Sequence, residues 1–531
     1  MEKTLFGLTI YTMRLLSIFL FSTCLCFSYP SAERMNLQTL YNSLDPTSIS
    51  KLFAFYELYP DTDLGKDALK RVWDLIYLHK DKGDKTPVSI KLPDLDIGAM
   101  IALINKQPYE KETNITLKQL DQIEKISSHL KNRTLKGYGV LEKEEVMKLS
   151  SDEIDLARAL LLYQYEASED PIYEVRKYEA NLDLMALQIL ARLSKDATDL
   201  EKIHAINHFI FHEMKFRFPP HSLWAKDIDI YTFLPSVIDN RQGVCLGVSI
   251  LYLALAQRID VPLEIITPPG HIYVRYKDGD TIINIETTAR GVNTPSDMYL
   301  GINTKLLHER SLKEVVGMAF VNQASVMLHR KDYDTAVSLY EKAMPFTPDD
   351  DLIKLLLGIT YLMQYENEKA EDLFKQIAGK TFIDAVHEET IPMDYLSGNA
   401  TVDAIEAVFT PVDETRDSIL QKQKILLSCL EECPKFRAGQ LQLAVSWLQL
   451  GRGKEALEAL KKCYELDKKD PTMNYYLTVL SLQRLQYQEA WNFLTHTKEI
   501  LSSNNHNPKM LKSLEYQLRC VYPNPIHKIC N

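Results

Sequence analysis

The chain contains little glycine and proline for its length, with 19 glycines and 23 prolines in 531 residues. A protein built mainly of short strands needs many tight turns, and these two residues supply many of them. An all-β protein is therefore disfavoured, and we expect helix to dominate. Apolar residues make up 46% of the chain and charged residues 25%, which are globular proportions and exclude wholesale disorder. The length allows about three or four domains.

An excess of basic residues is also absent. The 61 lysines and arginines are outnumbered by 72 aspartates and glutamates, which gives a net charge of −11. A general nucleic-acid binder needs a basic surface that displaces counterions from phosphates. We therefore expect no nucleic-acid partner.

No pair of cysteines has the C-x-x-C spacing that is typical of a zinc site. Cys520 and Cys530 flank a proline-containing tail and could form a disulfide in an oxidising compartment. Cys429 and Cys433 lie one helical turn apart, which is more typical of a helix face than of a disulfide. The cysteine pattern neither proves nor excludes export.

Three histidines at four-residue steps, His204, His208 and His212, would line one face of a helix and could hold a metal ion. The apolar residues of the same helix, such as Ile203 and Ile206, lie largely away from that face. We therefore expect the histidines to face solvent, and we predict no metal and no cofactor.

Long apolar runs are absent except near the N-terminus. Lys3 and Arg14 precede an apolar run over residues 15–27, and small residues follow it, as in a secretory signal. The run is shorter than the about 20 residues that span a bilayer, and an extension back to Leu5 would place Arg14 inside the span. We predict a signal peptide over residues 1–32, with an uncleaved membrane anchor as the alternative. Either implies export to the periplasm or cell envelope, with membrane contact through this segment alone.

Residues 33–181 form a polar region with a helical pattern. Apolar residues recur there at three- and four-residue steps, which is the spacing of a buried helix face. We predict helices near 97–104, 117–130 and 152–167, and nothing in this region looks catalytic.

The pattern changes over residues 182–300, where strands and chemistry appear together. Gly243 breaks the chain, and Cys245 begins an apolar helix. Asp278-Gly279 is a strong hairpin signal. We predict helices over 182–194 and 199–214, and strands over 263–266, 272–276 and 281–286.

Cys245 has the surroundings of a nucleophile. A cysteine at a helix N-terminus is activated by the free backbone N–H groups and the helix dipole. His271 lies at the start of the second strand and could serve as its base. Asn284 and Glu286 point to one face of the third strand, because side chains alternate along a strand, and either could orient the imidazole.

Residues 182–291 resemble the transglutaminase-like superfamily, which is related to the papain-type cysteine proteases, and most of all its bacterial SirB-like branch. The resemblance rests on Arg241-x-Gly243-Val244-Cys245, on Pro269-Gly270-His271 and on Ile285-Glu286-Thr287-Thr288, together with Phe233-Leu234, Val237-Ile238 and the helix from Leu251 to Arg258. It implies that Cys245 is the nucleophile, that His271 is the base, and that Glu286 replaces the usual aspartate. Its members include proteases, cross-linking enzymes and inactive forms.

A 34-residue repeat occupies the C-terminal half. Small and large residues recur at fixed positions in two pairs of units, Ala324, Ala336, Tyr340 and Ala343 with Gly358, Ala370, Phe374 and Ile377, and Ala444, Ala456 and Leu460 with Thr478, Ala490 and Leu494. These units resemble tetratricopeptide (TPR) repeats, whose concave face binds a protein or peptide partner. We predict repeats over 317–380 and 436–504, a linker or cap over 381–435 whose first part, 381–415, is irregular, and a tail over 505–531.

The predicted fold is mainly α with one small α+β domain. A helical region precedes a transglutaminase-like domain, and a TPR-like helical array follows it. Two functions fit this architecture. The protein is either a thiol enzyme that acts on amide bonds, as a protease, deamidase or acyl transferase, or a catalytically inactive scaffold that binds proteins through its repeats.

Overall fold

The computed structural model describes residues 37–79, 97–108, 110, 114–219, 232–382, 385–413 and 415–523. The predicted signal segment and Cys530 lie outside these residues. The chain divides into two compact units. Within the described residues, one unit comprises 37–79 with 190–195, and the other comprises the remainder.

The first unit is a small group of helices, namely α1 (Leu37–Asn42), α2 (Ile49–Leu58) and α3 (Asp63–Ile76). Ser48 and Thr62 cap α2 and α3 by accepting hydrogen bonds from backbone N–H groups of the first turn. The rings of Phe53 and Trp73 meet edge to face in its core, with centroids 6.4 Å apart. The predicted buried helix faces are confirmed here.

The second unit begins with helices. They are α4 (Ile97–Asn105), α5 (Leu117–Ile126), α6 (Lys143–Val146), α7 (Leu156–Gln164), α8 (Pro171–Leu190), α9 (Asp199–Asn207), α10 (Leu234–Asn240) and α11 (Cys245–Ile259). Helix α11 is apolar around its whole circumference and is almost entirely buried, as such a pattern requires. The helices predicted from periodicity are confirmed, and most of their ends shift by a few residues. The helix predicted over 182–194 is an exception, because it begins at Pro171 and ends at Leu190. A π-helical turn (His208–Glu213) continues α9.

A buried ion pair fixes the far end of α11. Arg258 donates a hydrogen bond of 2.8 Å from Nε to Oδ1 of Asp183 on α8, and both side chains are essentially inaccessible to solvent. Arg133 and Ser127 hydrogen-bond the other carboxylate oxygen. A buried charge needs such partners, because removal of a partner leaves a charge that is no longer fully compensated. The helix that carries Cys245 is therefore held rigidly at its C-terminal end.

One antiparallel sheet follows. Its strands are β1 (Glu264–Thr267), β2 (Tyr273–Asp278), β3 (Thr281–Glu286), β4 (Val292–Asn293) and β5 (His308–Arg310), in the spatial order β4-β3-β2-β1-β5. Asp278 pairs with Thr281, and Gly279 between them has a φ of +54°, which a two-residue hairpin turn favours. The three predicted strands and the hairpin are confirmed, whereas the two short edge strands were not predicted.

The C-terminal half consists of antiparallel helix pairs. The four principal pairs are α12 (Leu312–His329) with α13 (Tyr333–Ala343), α14 (Asp351–Met363) with α15 (Asn367–Ile377), α19 (Arg437–Gln449) with α20 (Gly453–Leu466), and α21 (Pro471–Gln483) with α22 (Tyr487–Ser503). A Cβ atom at Gly358 of α14 would lie only 2.6 Å from the ring of Phe374 on α15. The small residue lets the two helices approach closely, and the ring of Phe374 fills the groove between them.

The segment between the two arrays is more regular than predicted. Residues 381–415 were expected to be irregular, but they contain α16 (Ile391–Leu396) and α17 (Val402–Phe409), and α18 (Arg416–Glu432) completes the linker. Thr401 and Thr415 cap α17 and α18. Helices this short carry too few turns for a clear period, which explains the error. The array ends with α23 (Lys509–Val521).

The last repeat helices share a core with the segment between β4 and β5. Ile302 is 5% exposed and packs into a cluster with Trp491 and Leu494 of α22 and Leu511 of α23. Nε2 of His506 lies 2.8 Å from the carbonyl oxygen of Gly301. Within the described residues, no helix is both long and apolar enough to cross a membrane.

Candidate active site

Cys245 is the first residue of α11, where backbone N–H groups have no partner within the helix. The turn before it is held in place by Arg217, whose backbone N–H donates to the carbonyl of Arg241 and whose carbonyl accepts from the N–H of Gly243. A Cβ atom at Gly243 would lie 2.7 Å from the side chain of Val248. A larger residue would therefore be crowded at the point where the chain enters the helix, which is where the sequence predicted a break.

His271 follows a tight turn that precedes β2. Gly270 adopts a φ of +69°, and the backbone N–H of His271 donates a hydrogen bond of 3.0 Å to the carbonyl of Pro268. This turn presents the imidazole toward α11, where it lies close enough to the side chain of Cys245 to interact with it electrostatically. Its side chain is 26% exposed, so the imidazole is largely protected from water.

The second nitrogen of the imidazole is hydrogen-bonded to Glu286. Nε2 of His271 lies 2.7 Å from Oε2 of Glu286, at the end of β3. Nδ1 is therefore the nitrogen available to Cys245. The next residue, Thr287, joins strand and helix directly, since its hydroxyl lies 3.1 Å from that of Ser249 on α11. Sulfur, imidazole and carboxylate thus form a continuous Cys–His–Glu group.

Glu286 is surrounded by hydrogen-bond donors. Tyr299 donates its hydroxyl to Oε2 at 2.7 Å, and Thr288 donates both its hydroxyl, at 2.6 Å, and its backbone N–H, at 3.2 Å, to Oε1. The ring of Tyr299 also stacks on those of His271 and Tyr273, with centroids 5.9 and 4.6 Å apart. Tyr299 was not predicted, because it lies in a loop without periodicity. The stacked ring holds the imidazole in one orientation.

The charges of the group follow from these contacts. Burial raises the pKa of Glu286, but hydrogen bonds from His271, Thr288 and Tyr299 outweigh it and lower the pKa to about 2. Burial likewise lowers the pKa of His271, but the interactions with Cys245 and Glu286 outweigh it and raise the pKa to about 10. At neutral pH the carboxylate is therefore ionised and the imidazole carries its proton.

Asn284 is not brought to this group. It lies opposite Arg275 in the β2–β3 register, and its Oδ1 accepts a hydrogen bond of 2.9 Å from Arg275 Nε. Its Nδ2 donates to the carbonyl of Thr294 and the hydroxyl of Ser296. The side chain is fully engaged in holding the loop that leads to Tyr299.

The three histidines at four-residue steps are exposed, as predicted. His208 and His212 stack on each other with centroids 5.6 Å apart, and Nδ1 of His208 lies 2.8 Å from Oε1 of Glu213. Ile203 and Ile206 face the core instead. Among the described residues, no group of three or more metal-ligating side chains could hold an ion.

A comparison with protein families finds a match for the part of the chain that contains this site. Residues 176–304 match the family model described as the transglutaminase-like superfamily. A comparison with curated proteins finds no match.

Solved structures similar to part of the chain include TPR proteins. One from Thermus thermophilus is 19% identical, with 38% of this chain and 97% of that chain covered and a TM-score of 0.20. MamA is 15% identical, with 34% and 96% covered and a TM-score of 0.20. The TPR2AB domain of yeast Sti1, solved in a complex with pHSP90, is 15% identical, with 38% and 85% covered and a TM-score of 0.20. The chain thus contains a transglutaminase-like domain over residues 176–304, and TPR-like helical repeats follow it.

Proposed function

We propose that this protein is a thiol enzyme that attacks amide bonds through an acyl intermediate on Cys245. The observation that carries the proposal is the position of His271, which interacts with Cys245 on one side and is hydrogen-bonded to Glu286 on the other. A nucleophile, a base and a group that orients the base are the parts that covalent catalysis at a carbonyl requires. An imidazolium beside the sulfur is the partner that a thiolate needs.

The reaction begins when the thiolate of Cys245 attacks the carbonyl carbon of an amide. The C–S bond forms, and the oxygen takes up negative charge close to the unpartnered N–H groups at the start of α11. The C–N bond then breaks, and the leaving amine takes the proton that His271 carried. The products of this half are the free amine and the acyl-Cys245 thioester, with His271 neutral.

Neutral His271 then removes a proton from a water molecule or from a second amine, which attacks the thioester. The C–S bond breaks, and the thiolate of Cys245 leaves with His271 protonated again. Water as the acceptor gives hydrolysis, and an amine gives acyl transfer. Glu286 is the positioning residue in both halves, because it fixes Nε2 and leaves Nδ1 to exchange the proton.

The TPR-like repeats give the enzyme a surface for a protein or peptide partner, which is what stacked helix pairs commonly provide. The pattern of residues 1–32 supports export to the periplasm or cell envelope, by a cleaved signal or an N-terminal anchor. The sequence around Cys245 and His271 supports a place in the SirB-like branch. The alternative to the enzyme is a protein-binding scaffold in which Cys245 is unreactive.

Alkylation of single cysteines tests the proposal. The full chain is treated with chloroacetamide from pH 5 to 9, and modification of each cysteine is followed by peptide mass spectrometry. Cys520 is exposed and lies in the same chain, so it serves as the internal reference thiol once the chain has been reduced. We expect Cys245 to react faster than Cys520 at pH 6, because an imidazolium beside the sulfur favours the thiolate, and we expect His271→Ala to abolish that advantage.

Two results would contradict the enzyme. One is a rate for Cys245 that follows the pH profile of Cys520, and the other is a rate that His271→Ala leaves unchanged. Either would favour the scaffold, and capture of partners by the repeats would then be the relevant activity. Thermal unfolding of the variant controls for a loss of fold.

A further inference from the structure

A cleft of about 400 Å³ opens beside the imidazole of His271. The transglutaminase-like domain supplies one wall, which consists of Pro268, Pro269, Tyr299 and Ile302 together with His271 itself. The group that exchanges the proton with Cys245 is therefore part of the cleft surface. Pockets of this volume are within the range that buries small ligands or single large side chains.

The opposite wall comes from the repeats. Thr472, Tyr475 and Tyr476 of α21 and Met510 of α23 face the same space. The rings of Tyr475 and Tyr476 meet edge to face, with centroids 5.8 Å apart. Among the described residues, none that lines the cleft carries a carboxylate, an ammonium or a guanidinium group. Apart from the imidazole of His271, the surface is thus aromatic and aliphatic, with a few hydroxyl groups.

The two walls are fixed to each other. Ile302 leaves the first wall to pack in the core of α22 and α23, and the adjacent carbonyl of Gly301 accepts the hydrogen bond of His506. On the same side, Nζ of Lys509 lies 3.6 Å from the carboxylate of Asp297. The repeat helices cannot move away from His271 without opening this shared core. The cleft is therefore preformed.

We infer that the cleft binds the acyl part of the substrate and selects an uncharged aromatic or large aliphatic side chain near the attacked carbonyl. This rests on the proposed thiol chemistry, and it adds that the last repeats act in substrate selection. An aromatic side chain gains most by leaving water for such walls. A charged side chain would lose its hydration, and the charge of the His271 imidazolium in the cleft wall is already paired with Glu286.

A matched series of electrophiles tests the inference on the full chain. The probes are N-acetyl amino acid chloromethyl ketones with phenylalanine, leucine, alanine, aspartate or lysine side chains, and chloroacetamide reports thiol reactivity without a side chain. Second-order rates of alkylation at Cys245 are measured by mass spectrometry. We expect the phenylalanine and leucine probes to exceed the alanine probe by at least about tenfold, and the two charged probes to fall below it.

Variants in the repeats connect this selectivity to the cleft. Met510→Glu places a carboxylate in a wall residue that is already 36% exposed, so the fold should tolerate it. We expect it to lower the phenylalanine-to-alanine ratio by at least about threefold and to raise the lysine-to-alanine ratio, because the new charge must stay hydrated or paired. Tyr475→Ala should also lower the phenylalanine ratio. Tyr516→Ala is the matched control on α23, where the ring is 71% exposed and lies outside the cleft.

The outcomes separate the two proposals. If Cys245 reacts rapidly with chloroacetamide but the probe series is flat or favours a charged side chain, the thiol enzyme stands and the cleft inference is overturned. Ratios that Met510→Glu and Tyr516→Ala change equally also overturn it. If Cys245 reacts no faster than Cys520 with any probe, both proposals fail.

Discussion

Tyr299 donates its hydroxyl to Oε2 of Glu286 at 2.7 Å, the oxygen that also lies 2.7 Å from Nε2 of His271. One carboxylate oxygen therefore serves both the imidazole and a phenol from the loop beyond β4. Thr288 occupies the other oxygen through its hydroxyl and its backbone N–H. This arrangement shows how a glutamate, with its longer side chain, is held in one position at a place where the family usually has an aspartate.

Tyr299→Phe should lower the reactivity of Cys245 while it leaves Cys245, His271 and Glu286 unchanged. The ring and its stacking remain, but Glu286 loses a hydrogen bond to a charged acceptor, which is worth about 1.5–3 kcal/mol in general. We expect the alkylation rate of Cys245 at pH 6 to fall by about three- to tenfold, a smaller loss than for Glu286→Gln, which removes the charge. Chloroacetamide labelling measures both variants.

Tyr273→Phe is the matched control for this experiment. Its ring also stacks on Tyr299, but its hydroxyl contacts Arg275 and not Glu286. Equal losses in the two tyrosine variants would show that stacking, and not the hydrogen bond to Glu286, sets the reactivity.

The His271–Glu286 pair should stabilise the fold within a defined pH range. The pKa of His271 is raised from 6.5 to about 10, so its contribution is complete below about pH 6.5 and is lost as the pH rises toward 10. The pKa of Glu286 is lowered from 4.5 to about 2, so its contribution is complete above about pH 4.5 and is lost as the pH falls toward 2. Both contributions are complete only between about pH 4.5 and 6.5.

Melting temperatures of the wild type and of Glu286→Gln, compared from pH 4 to pH 10, measure this effect. We expect the difference between them to be largest in the range from about pH 4.5 to 6.5 and to shrink steadily above it. A difference in melting temperature that grows between pH 7 and pH 10 would show that Glu286 does not keep the imidazole of His271 protonated.

Much of the site could be predicted from the sequence, because short local patterns place its reactive residues on a helix start and on neighbouring strands. Gly243 marked the start of the helix that Cys245 begins. The Asp278-Gly279 turn fixed the register of β2 and β3, which brings Glu286 near His271. Alternation alone could not separate Asn284 from Glu286. That choice depends on Arg275, which is paired with Asn284 on the neighbouring strand and donates a hydrogen bond to its side chain.

The remainder of the site could not be predicted, since it depends on packing between distant parts of the chain. Tyr299 reaches Glu286 from a loop, and loops show no periodic pattern. The contribution of Tyr475 and Met510 to the cleft follows from how the last helix pair packs against Ile302, which no spacing in the sequence reports. The period of the repeats predicted their helices, but it did not predict which other parts of the chain those helices pack against.

Gly358→Ala should destabilise the first helix array. The new methyl group would lie 2.6 Å from the ring of Phe374, and that ring is fully buried and has no space to move. Overpacking of this kind generally costs about 1–3 kcal/mol. Hydrogen exchange of the α14 and α15 amides should show the loss as reduced protection.

Gly453→Ala provides the comparison, because a Cβ atom at this first residue of α20 meets nothing within 4 Å. It should be neutral or stabilise the protein by up to about 1 kcal/mol, since alanine loses less backbone entropy than glycine in a helix. Similar losses of protection in both variants would contradict the close approach of α14 and α15.

Ile302→Ala should loosen the last repeats from the transglutaminase-like domain. The substitution removes a buried side chain from the cluster around Trp491, and such losses generally cost about 2–5 kcal/mol. We expect faster hydrogen exchange in α22 and α23. Ile282→Ala, at a position 47% exposed on β3, should change stability by no more than about 0.5 kcal/mol. Unchanged exchange in α22 and α23 would show that Ile302 does not hold the cleft together.

The packing of Ile302 among the last helices also limits how this protein can change in evolution. In an ordinary solenoid a unit can be duplicated or deleted, because each unit contacts only its neighbours. Here α12 leaves the domain soon after β5, while α22 and α23 return to it at Ile302, so the array forms a closed ring of contacts. Gain or loss of one unit would break that ring and remove Tyr475 from the cleft. In relatives that keep this ring, we therefore expect the number of units to be fixed while their outward surfaces vary.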